Sequence, residues 1–537
     1  MSIKVAFIGA GSVGFTRKLF RDILSVPELQ DTQFSFADIS KRNLDMVTQL
    51  CRKDLRNNRL PAKLEATLDR RKALEGADYV INCTRIGGLE AFQQDIEIPL
   101  KYGVDQCVGD TLCVGGILYG QRNIPCILDF CDDIRAVAND EALMLNYANP
   151  NAMNTWAANT FGNVPTVGLC HGVQAGHKAI AQVIEMLIND GRKAGSKGYK
   201  TVARDDVDII CAGLNHQTWY VQVIYDGEDW TDRLPEGFAR HPAFSQTDKV
   251  RVDVAKRFGY YSTESNGHLS EYLPWYRKTP EAVRRWSEMS CWVNGETGGY
   301  LRVCTESRNW FRTDFPTWLK AEDEPIGADR SEEHGSYIIE GLETGRVYRG
   351  HFNVINNGCI TNLPEDCVVE VPAYVDRNGI SIPIVGDLPL ACAATLSATV
   401  NVQRMSVYAA VDGDVTLLKQ AVLHDPLAAA VCDTEEVWQM VDEMLVAQAR
   451  WLPQYAEEIP AARKRLTAVK RSGQYKGTRK TKGAARVHTK TVAEMKKNAA
   501  AARRNAAAAD KAAADRDAAV KKAKKKTARK SAKKAKQ

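Results

Sequence analysis

Residues 3–14 read Ile3-Lys4-Val5-Ala6-Phe7-Ile8-Gly9-Ala10-Gly11-Ser12-Val13-Gly14, and the reading of this stretch decides the fold. A short apolar run ends in a glycine turn, beyond which Phe15, Leu19, Ile23 and Leu24 recur at helical spacing. Strand, Gly-x-Gly-x-x-Gly turn and helix make the dinucleotide fingerprint. Its first glycine permits a tight turn, its second lets the backbone of Gly11, Ser12 and Val13 approach a pyrophosphate, and its third allows close helix–sheet packing. The helix amino terminus adds free N–H groups and its dipole. Asp38 ends a second strand at Phe34–Ala37, where a carboxylate can accept hydrogen bonds from a ribose diol, which favours NAD over NADP. Asn82, closing a strand at Asp78–Asn82, is expected to face the same crevice. The expected cofactor set is therefore Gly9, Gly11, Ser12, Val13, Gly14, Asp38 and Asn82.

Working outward, strand–helix–strand repeats imply a parallel sheet. A further strand is expected near Val167–Cys170, then a helix from His177 to Ile188. The expected class is α/β: a Rossmann domain of the malate or lactate dehydrogenase type over 1–170, then an α+β metal- and substrate-binding domain over 171–460. In the second half, 208–214, 220–224 and 367–375 read as strands, while 281–345 and 389–454 have helical periodicity. Of the 537 residues 44% are hydrophobic, enough for a large core. The net charge of +6 conceals two parts. Residues 461–537 carry 27 Lys and Arg against 4 Asp and Glu, whereas residues 1–460 carry 45 against 62. The Lys/Arg/Ala-rich tail has no apolar face to dock and is expected to be disordered, attracting polyanions or nucleic acid without sequence preference. All 14 cysteines lie before residue 461 at scattered positions, as expected of reduced thiols. With no signal sequence or spanning segment, a cytoplasmic protein with no membrane partner is expected.

Three polar clusters stand at the carboxyl ends of expected strands or in the loops that follow: Asn149-Pro150-Asn151, Cys170-His171-Gly172-Val173-Gln174 and Asn215-His216-Gln217. Open α/β sheets place ligand chemistry at that edge. A thiolate and an imidazole from separate strands can hold a divalent cation and leave positions open for substrate hydroxyls. Singly, Cys170 also reads as a small buried hydrophobe and His216 as a core histidine.

These motifs, with Gly109-Asp110-Thr111 before Gly115-Gly116, Asn146-Tyr147-Ala148-Asn149-Pro150, Gly213-Leu214-Asn215-His216 and Asn362-Leu363-Pro364, resemble glycoside hydrolase family 4 from Ile3 to about Leu452. The resemblance implies a two-domain enzyme that uses NAD and usually manganese, Mn(2+) or another divalent cation. It hydrolyses O-glycosidic bonds by oxidation at C3, deprotonation at C2, elimination of the C1 substituent, addition of water and return of the hydride. It implies Cys170 and His216 as metal ligands, Asn149 as a substrate contact, and Asp110 as the acidic group that raises the basicity of the base. His171 follows the metal cysteine where phosphoglycosidase members carry an acidic Asp, and a histidine can do that work near neutral pH. For the base, the segment 258–272 offers His268 or Glu264, then Tyr272. The resemblance also implies a homo-oligomer, dimer or tetramer.

The sugar is read from smaller signals. Phosphoglycosidase members carry a phosphate-binding Arg in the loop after the third strand, and the corresponding stretch here reads Glu90-Ala91-Phe92-Gln93-Gln94. An unphosphorylated sugar is expected. Gly172 resembles the α-glucuronidase branch, whereas Phe258-Gly259-Tyr260 and Glu271-Tyr272-Leu273-Pro274-Trp275 resemble the α-galactosidase side. An α-galactoside ranks first, an α-glucuronide or α-galacturonide next. The competing readings are a malate- or lactate-type NAD dehydrogenase, and a nucleic-acid-binding protein with a vestigial enzyme domain.

Overall fold

The computed structural model describes residues 2–322, 325–327, 330–479, 482–502 and 504. Six strands, β1 (Lys4–Ile8), β2 (Gln33–Ala37), β3 (Lys63–Thr67), β4 (Tyr79–Asn82), β5 (Leu143–Asn146) and β6 (Thr166–Gly168), pair in parallel in the order β3-β2-β1-β4-β5-β6. This is the doubly wound dinucleotide-binding order, and its topological switch lies between β1 and β4. The crossovers include α1 (Val13–Leu24), α2 (Lys41–Asn58), α3 (Arg70–Leu74), α4 (Gly88–Lys101), α5 (Cys113–Val137) and α6 (Asn151–Thr160). Helix α1 buries Leu19, Phe20, Ile23 and Leu24, so its apolar spacing faces the sheet as expected.

The sheet does not stop at the expected boundary near residue 170. After α7 (Gly172–Asn189) come β7 (Val207–Leu214), β8 (Gln217–Tyr225), β9 (Glu228–Asp229), β10 (Tyr348–Ile355), β11 (Val368–Asp376) and β12 (Gly379–Ser381). They continue the sheet antiparallel as β6-β10-β11-β7-β8-β9, with β12 beside β11. Two contacts make the joins, Asn353 opposite Gly168 and Glu370 opposite Gly213. The helices expected over 281–345 and 389–454 are present, among them Gly299–Lys320, His334–Thr344, Leu390–Asp412 and Thr434–Ala447.

Five strands were not expected: β3, β5, β9, β10 and β12. Strand β3 lies at the sheet edge with no buried side chain, β5 is only four residues long, and β10 carries the buried polar groups His351 and Asn353 inside its run. Because β3 exists, Asp78–Asn82 is the fourth strand and not the third. Glu90–Gln94 belongs to helix α4, so the loop after that strand is 83–87, and it contains Arg85. The inference drawn from a missing arginine therefore has no footing.

The described residues form two compact units. One holds the chain up to Leu301 together with Thr317–Val487; the other holds Arg302–Pro316 with the chain from His488. In the second, the Lys490 N–H donates to Glu306 at 2.7 Å and Lys496 pairs with Asp314 at 2.8 Å. The tail expected to be disordered from 461 instead continues a helix, Ile459–Ser472, that buries Ile459, Ala462 and Leu466. Residues 475–479 and 482–487 then lie along the first unit: Tyr475 Oη donates to Glu443 (2.7 Å), Arg479 to Glu436 (2.8 Å) and Arg486 to Glu97 (2.6 Å). The missing apolar face is replaced by carboxylates of the acidic part of the chain. The expectation for 505–537 falls outside the described residues. The Ala484 N–H donates to buried Asp105 at 2.9 Å, and Asp105 also receives Arg277 and the Thr297 hydroxyl. In Ala484→Pro that donor is gone. A lost hydrogen bond to a buried charge should raise trypsin cleavage between Lys476 and Arg486 about tenfold; an unchanged rate would contradict this docking.

Candidate active site

The glycine turn is built as the fingerprint requires at its first two positions. Gly9 has φ +82°, and a Cβ there would lie 2.9 Å from the Cys83 carbonyl carbon. A Cβ on Gly11 would lie 2.8 Å from Asp38 Oδ2, the atom that accepts the Gly11 N–H at 2.8 Å. Gly14 differs from expectation: nothing lies within 4 Å of a Cβ at this exposed position, so it does not serve close helix–sheet packing. Ser12 caps α1 without a side-chain hydrogen bond, and the first turn, beginning at Val13, has no acidic residue. Its free N–H groups suit a phosphate. Asn82 departs from expectation too. It is fully buried, donating to Asn146 Oδ1 (2.9 Å) and accepting from the Thr84 hydroxyl (2.8 Å), so it braces the strand ends and does not line the crevice. The cradle of bare backbone and the Asp38 carboxylate fit a dinucleotide.

At the same carboxyl edge the two halves of the chain meet. His216 occupies the two-residue β7–β8 loop at φ +64°, in the left-handed region. Its Nδ1 lies 2.8 Å from Thr111 Oγ1, and the Thr111 hydroxyl donates to Asp110 Oδ1 at 2.8 Å. Asn149 Nδ2 donates to the other Asp110 oxygen at 2.8 Å. Engaging Nδ1 leaves Nε2 of His216 as its free ligand atom. Two three-residue sets share this imidazole, Asp110–His216–His268 and Cys170–His216–Glu264, and within each the ligand atoms all lie within 4.8 Å of one another. Sulfur, imidazole and carboxylate together fit a divalent transition-metal cation.

The remaining expected residues divide clearly. His268 is buried, its ring centre 4.8 Å from that of His216, and Ser265 Oγ holds its Nδ1 at 2.6 Å. Burial and the neighbouring His216 hold its pKa well below the usual histidine value, so it is neutral at pH 7. Burial keeps the Tyr272 hydroxyl well above the ordinary tyrosine range, which removes it as a base at neutral pH. Glu264 lies beside Cys170, 3.9 Å from its sulfur. Burial first, then Glu264 and Glu370, push the Cys170 thiol up. His171 stands at the mouth as the cap of α7, its side chain 54% exposed, with Nδ1 3.6 Å from Glu333. Asn149 reaches the site, where the structure shows it holding Asp110.

Sequence reasoning passed over two contributors. Arg85 lies over the rings of Phe92 (4.2 Å) and Tyr119 (4.6 Å), with Nη2 4.0 Å from Asp110. Its signal was its place, three residues past the end of β4. Glu271 accepts the N–H groups of Cys107, Val108 and Gly109, fixing the loop that presents Asp110. Burial raises this carboxyl to about 7. No sequence spacing links it to that loop.

Residues 4–186 match the model of the family 4 glycosyl hydrolases, and residues 211–428 match the family 4 glycosyl hydrolase C-terminal domain. The chain belongs to glycosyl hydrolase family 4. An α-galactosidase of Rhizobium meliloti (strain 1021) is 58% identical over 94% of this chain and 99% of its own length. An α-galactosidase of Bacillus subtilis (strain 168) is 33% identical over 84% and 99%. The solved structure of lplD from Bacillus subtilis has a TM-score of 0.70 at 26% identity, covering 83% of this chain and all of its own. The 6-phospho-beta glucosidase of Thermotoga maritima, solved with manganese, NAD+ and glucose-6-phosphate, shares the fold at a TM-score of 0.66 and 22% identity, over 84% and 99%. The protein is a glycoside hydrolase, which displaces the dehydrogenase alternative. Among the described residues no helix is long and apolar enough to cross a membrane, and no cysteine is in a disulfide.

Burial around the site has a consequence for acid stability. His334, which approaches the Cys170 carbonyl at 3.1 Å, is lowered to about 3 by burial, and His268 and His351 shift the same way. Below the unfolded value of about 6.5 the unfolded chain binds protons that the folded site refuses, so stability falls as pH falls. Between pH 6.5 and 5.5 the loss should be about 1 kcal/mol from His334 alone, read from urea unfolding. His334→Gln should flatten the profile; an unaltered slope would contradict the buried, neutral assignment.

Proposed function

We propose that this enzyme hydrolyses unphosphorylated α-galactosides with NAD and manganese, or another divalent cation, at the site described. The observation that carries the sugar is the 58% identity to the Rhizobium meliloti α-galactosidase over nearly the whole of both chains. An α-galacturonide or α-glucuronide is the second reading, favoured by α-galacturonidases such as that of Lachnoclostridium phytofermentans at 26% identity.

When bound, NAD would supply a reversible hydride acceptor for C3 of the sugar, and a divalent cation would supply a Lewis acid for the sugar oxygens. The glycine turn, the amino terminus of α1 and Asp38 would hold the dinucleotide, and Cys170 with His216 Nε2 would hold the cation. His268 is the base. It is neutral, its Nδ1 is engaged by Ser265, and Nε2 can take the proton from C2. Asp110, in the same cluster, favours the imidazolium that results. His171, at the mouth beside Glu333, delivers a proton to the departing C1 oxygen. Glu264 and Tyr272 leave the list of bases, the first for its place beside Cys170 and the second for its retained proton.

The test is turnover of a nitrophenyl α-galactoside in deuterated water with NAD, manganese and a thiol reductant. The product should carry deuterium at C2 with no lasting NADH absorbance; unlabelled product would remove the elimination route. His268→Gln should lower kcat by about 10²–10⁴-fold and stop C2 labelling. In a side-by-side comparison kcat/KM should favour the α-galactoside over the α-galacturonide, and the reverse order would install the second reading.

A further inference from the structure

Glu264 has no place in the proton transfers just described, yet the chain goes to some length to hold it. The segment 261–264 is stitched to β8 immediately after His216: Tyr220 N–H donates to the Tyr261 carbonyl (2.9 Å), Thr263 N–H to the Thr218 carbonyl (3.0 Å), and the Thr218 and Thr263 hydroxyls meet at 2.6 Å. Arg251, itself paired with Asp248 at 2.8 Å, donates to the carbonyl of Glu264 at 3.2 Å. The carboxylate is thereby in register with the hairpin that carries His216. On its other side it lies against the bare backbone of Gly172, the first residue of α7, where any Cβ would overlap it. Its ligand oxygen, Cys170 Sγ and a His216 ring nitrogen all fall within 4.8 Å of one another.

We propose that Glu264 is a third protein ligand of the cation, completing a sulfur, imidazole and carboxylate set with Cys170 and His216, and that Gly172 is glycine to leave room for it. The inference rests on the metal site of the proposed function. Two protein ligands hold a divalent cation weakly without chelation by the sugar; three ligands fixed by folding hold it before the sugar arrives. Asp110 and His268, the other pair near His216, are tied to Thr111, Asn149 and Ser265 and remain for proton transfer.

The experiment measures manganese affinity of the full-length protein without sugar, from the electron paramagnetic resonance signal of free Mn(2+), with NAD affinity by calorimetry as a check on folding. Glu264→Gln should weaken manganese binding at least 10- to 100-fold and leave NAD binding as it was. Gly172→Ala keeps every ligand but displaces the carboxylate, and should weaken manganese in the same direction; it carries the test if Glu264→Gln does not fold. Unchanged manganese affinity in a folded Glu264→Gln or Gly172→Ala overturns the proposal. Cys170→Ser separates the two readings, because if it too leaves manganese binding untouched, the failure belongs to the metal site as a whole and not to Glu264.

Discussion

The Thr111 hydroxyl is the join on which the site depends. It stands 2.8 Å from His216 Nδ1 and 2.8 Å from Asp110 Oδ1, so one small side chain links the loop of the dinucleotide-binding half to the hairpin of the second half. This bridge fixes the orientation of the imidazole and leaves Nε2 as its free ring nitrogen. It also explains the left-handed backbone of His216. A histidine at φ +64° is an uncommon choice for a two-residue loop, and strain of this kind persists where the surroundings over-determine the residue. Glu271 plays the matching part behind Asp110, gathering three consecutive backbone N–H groups in a buried setting.

Much of this was legible in the order of residues, and the reason is locality. Strand β1, the glycine turn and α1 are consecutive, so periodicity and the φ demand at Gly9 are enough to read them. Asp38 is one strand away, and its place at the end of β2 beside the glycine turn followed from strand direction. What escaped needed contacts remote in sequence. Strand β3 is an exposed edge without an apolar face, and β10 buries His351 and Asn353 because its neighbours β6 and β11 lie on either side, which no local pattern reveals. Missing β3 displaced the strand count and concealed Arg85. One segment offered His268 or Glu264, then Tyr272; the fold separates them by placing one against His216, one against Cys170 and burying the last hydroxyl.

The carboxyl-terminal region shows how composition misleads. A Lys/Arg/Ala sequence with no apolar stripe reads as unfolded when considered alone, because nothing local offsets the entropy of ordering it. Residues 475–479 and 482–487 lie on a surface whose charge is opposite, with Tyr475, Arg479 and Arg486 on Glu443, Glu436 and Glu97. The excess of acid over base in residues 1–460 is therefore partly a docking surface for the chain's own basic continuation. Through Ala484 and Asp105 this continuation reaches Thr297 and Arg277, next to the Cys107–Gly109 loop held by Glu271.

A glycoside hydrolase that carries a dinucleotide cradle and a thiol–imidazole site unites two chemistries at one sheet edge, and the account stands on their adjacency. The most direct measurement is diffraction from crystals grown with NAD and manganese, collected at the manganese absorption edge. The account predicts one anomalous peak within bonding distance of both Cys170 Sγ and His216 Nε2, with the nicotinamide ring beside it and the pyrophosphate at the amino terminus of α1. A peak that touches neither side chain, or a nicotinamide directed away from them, would contradict it.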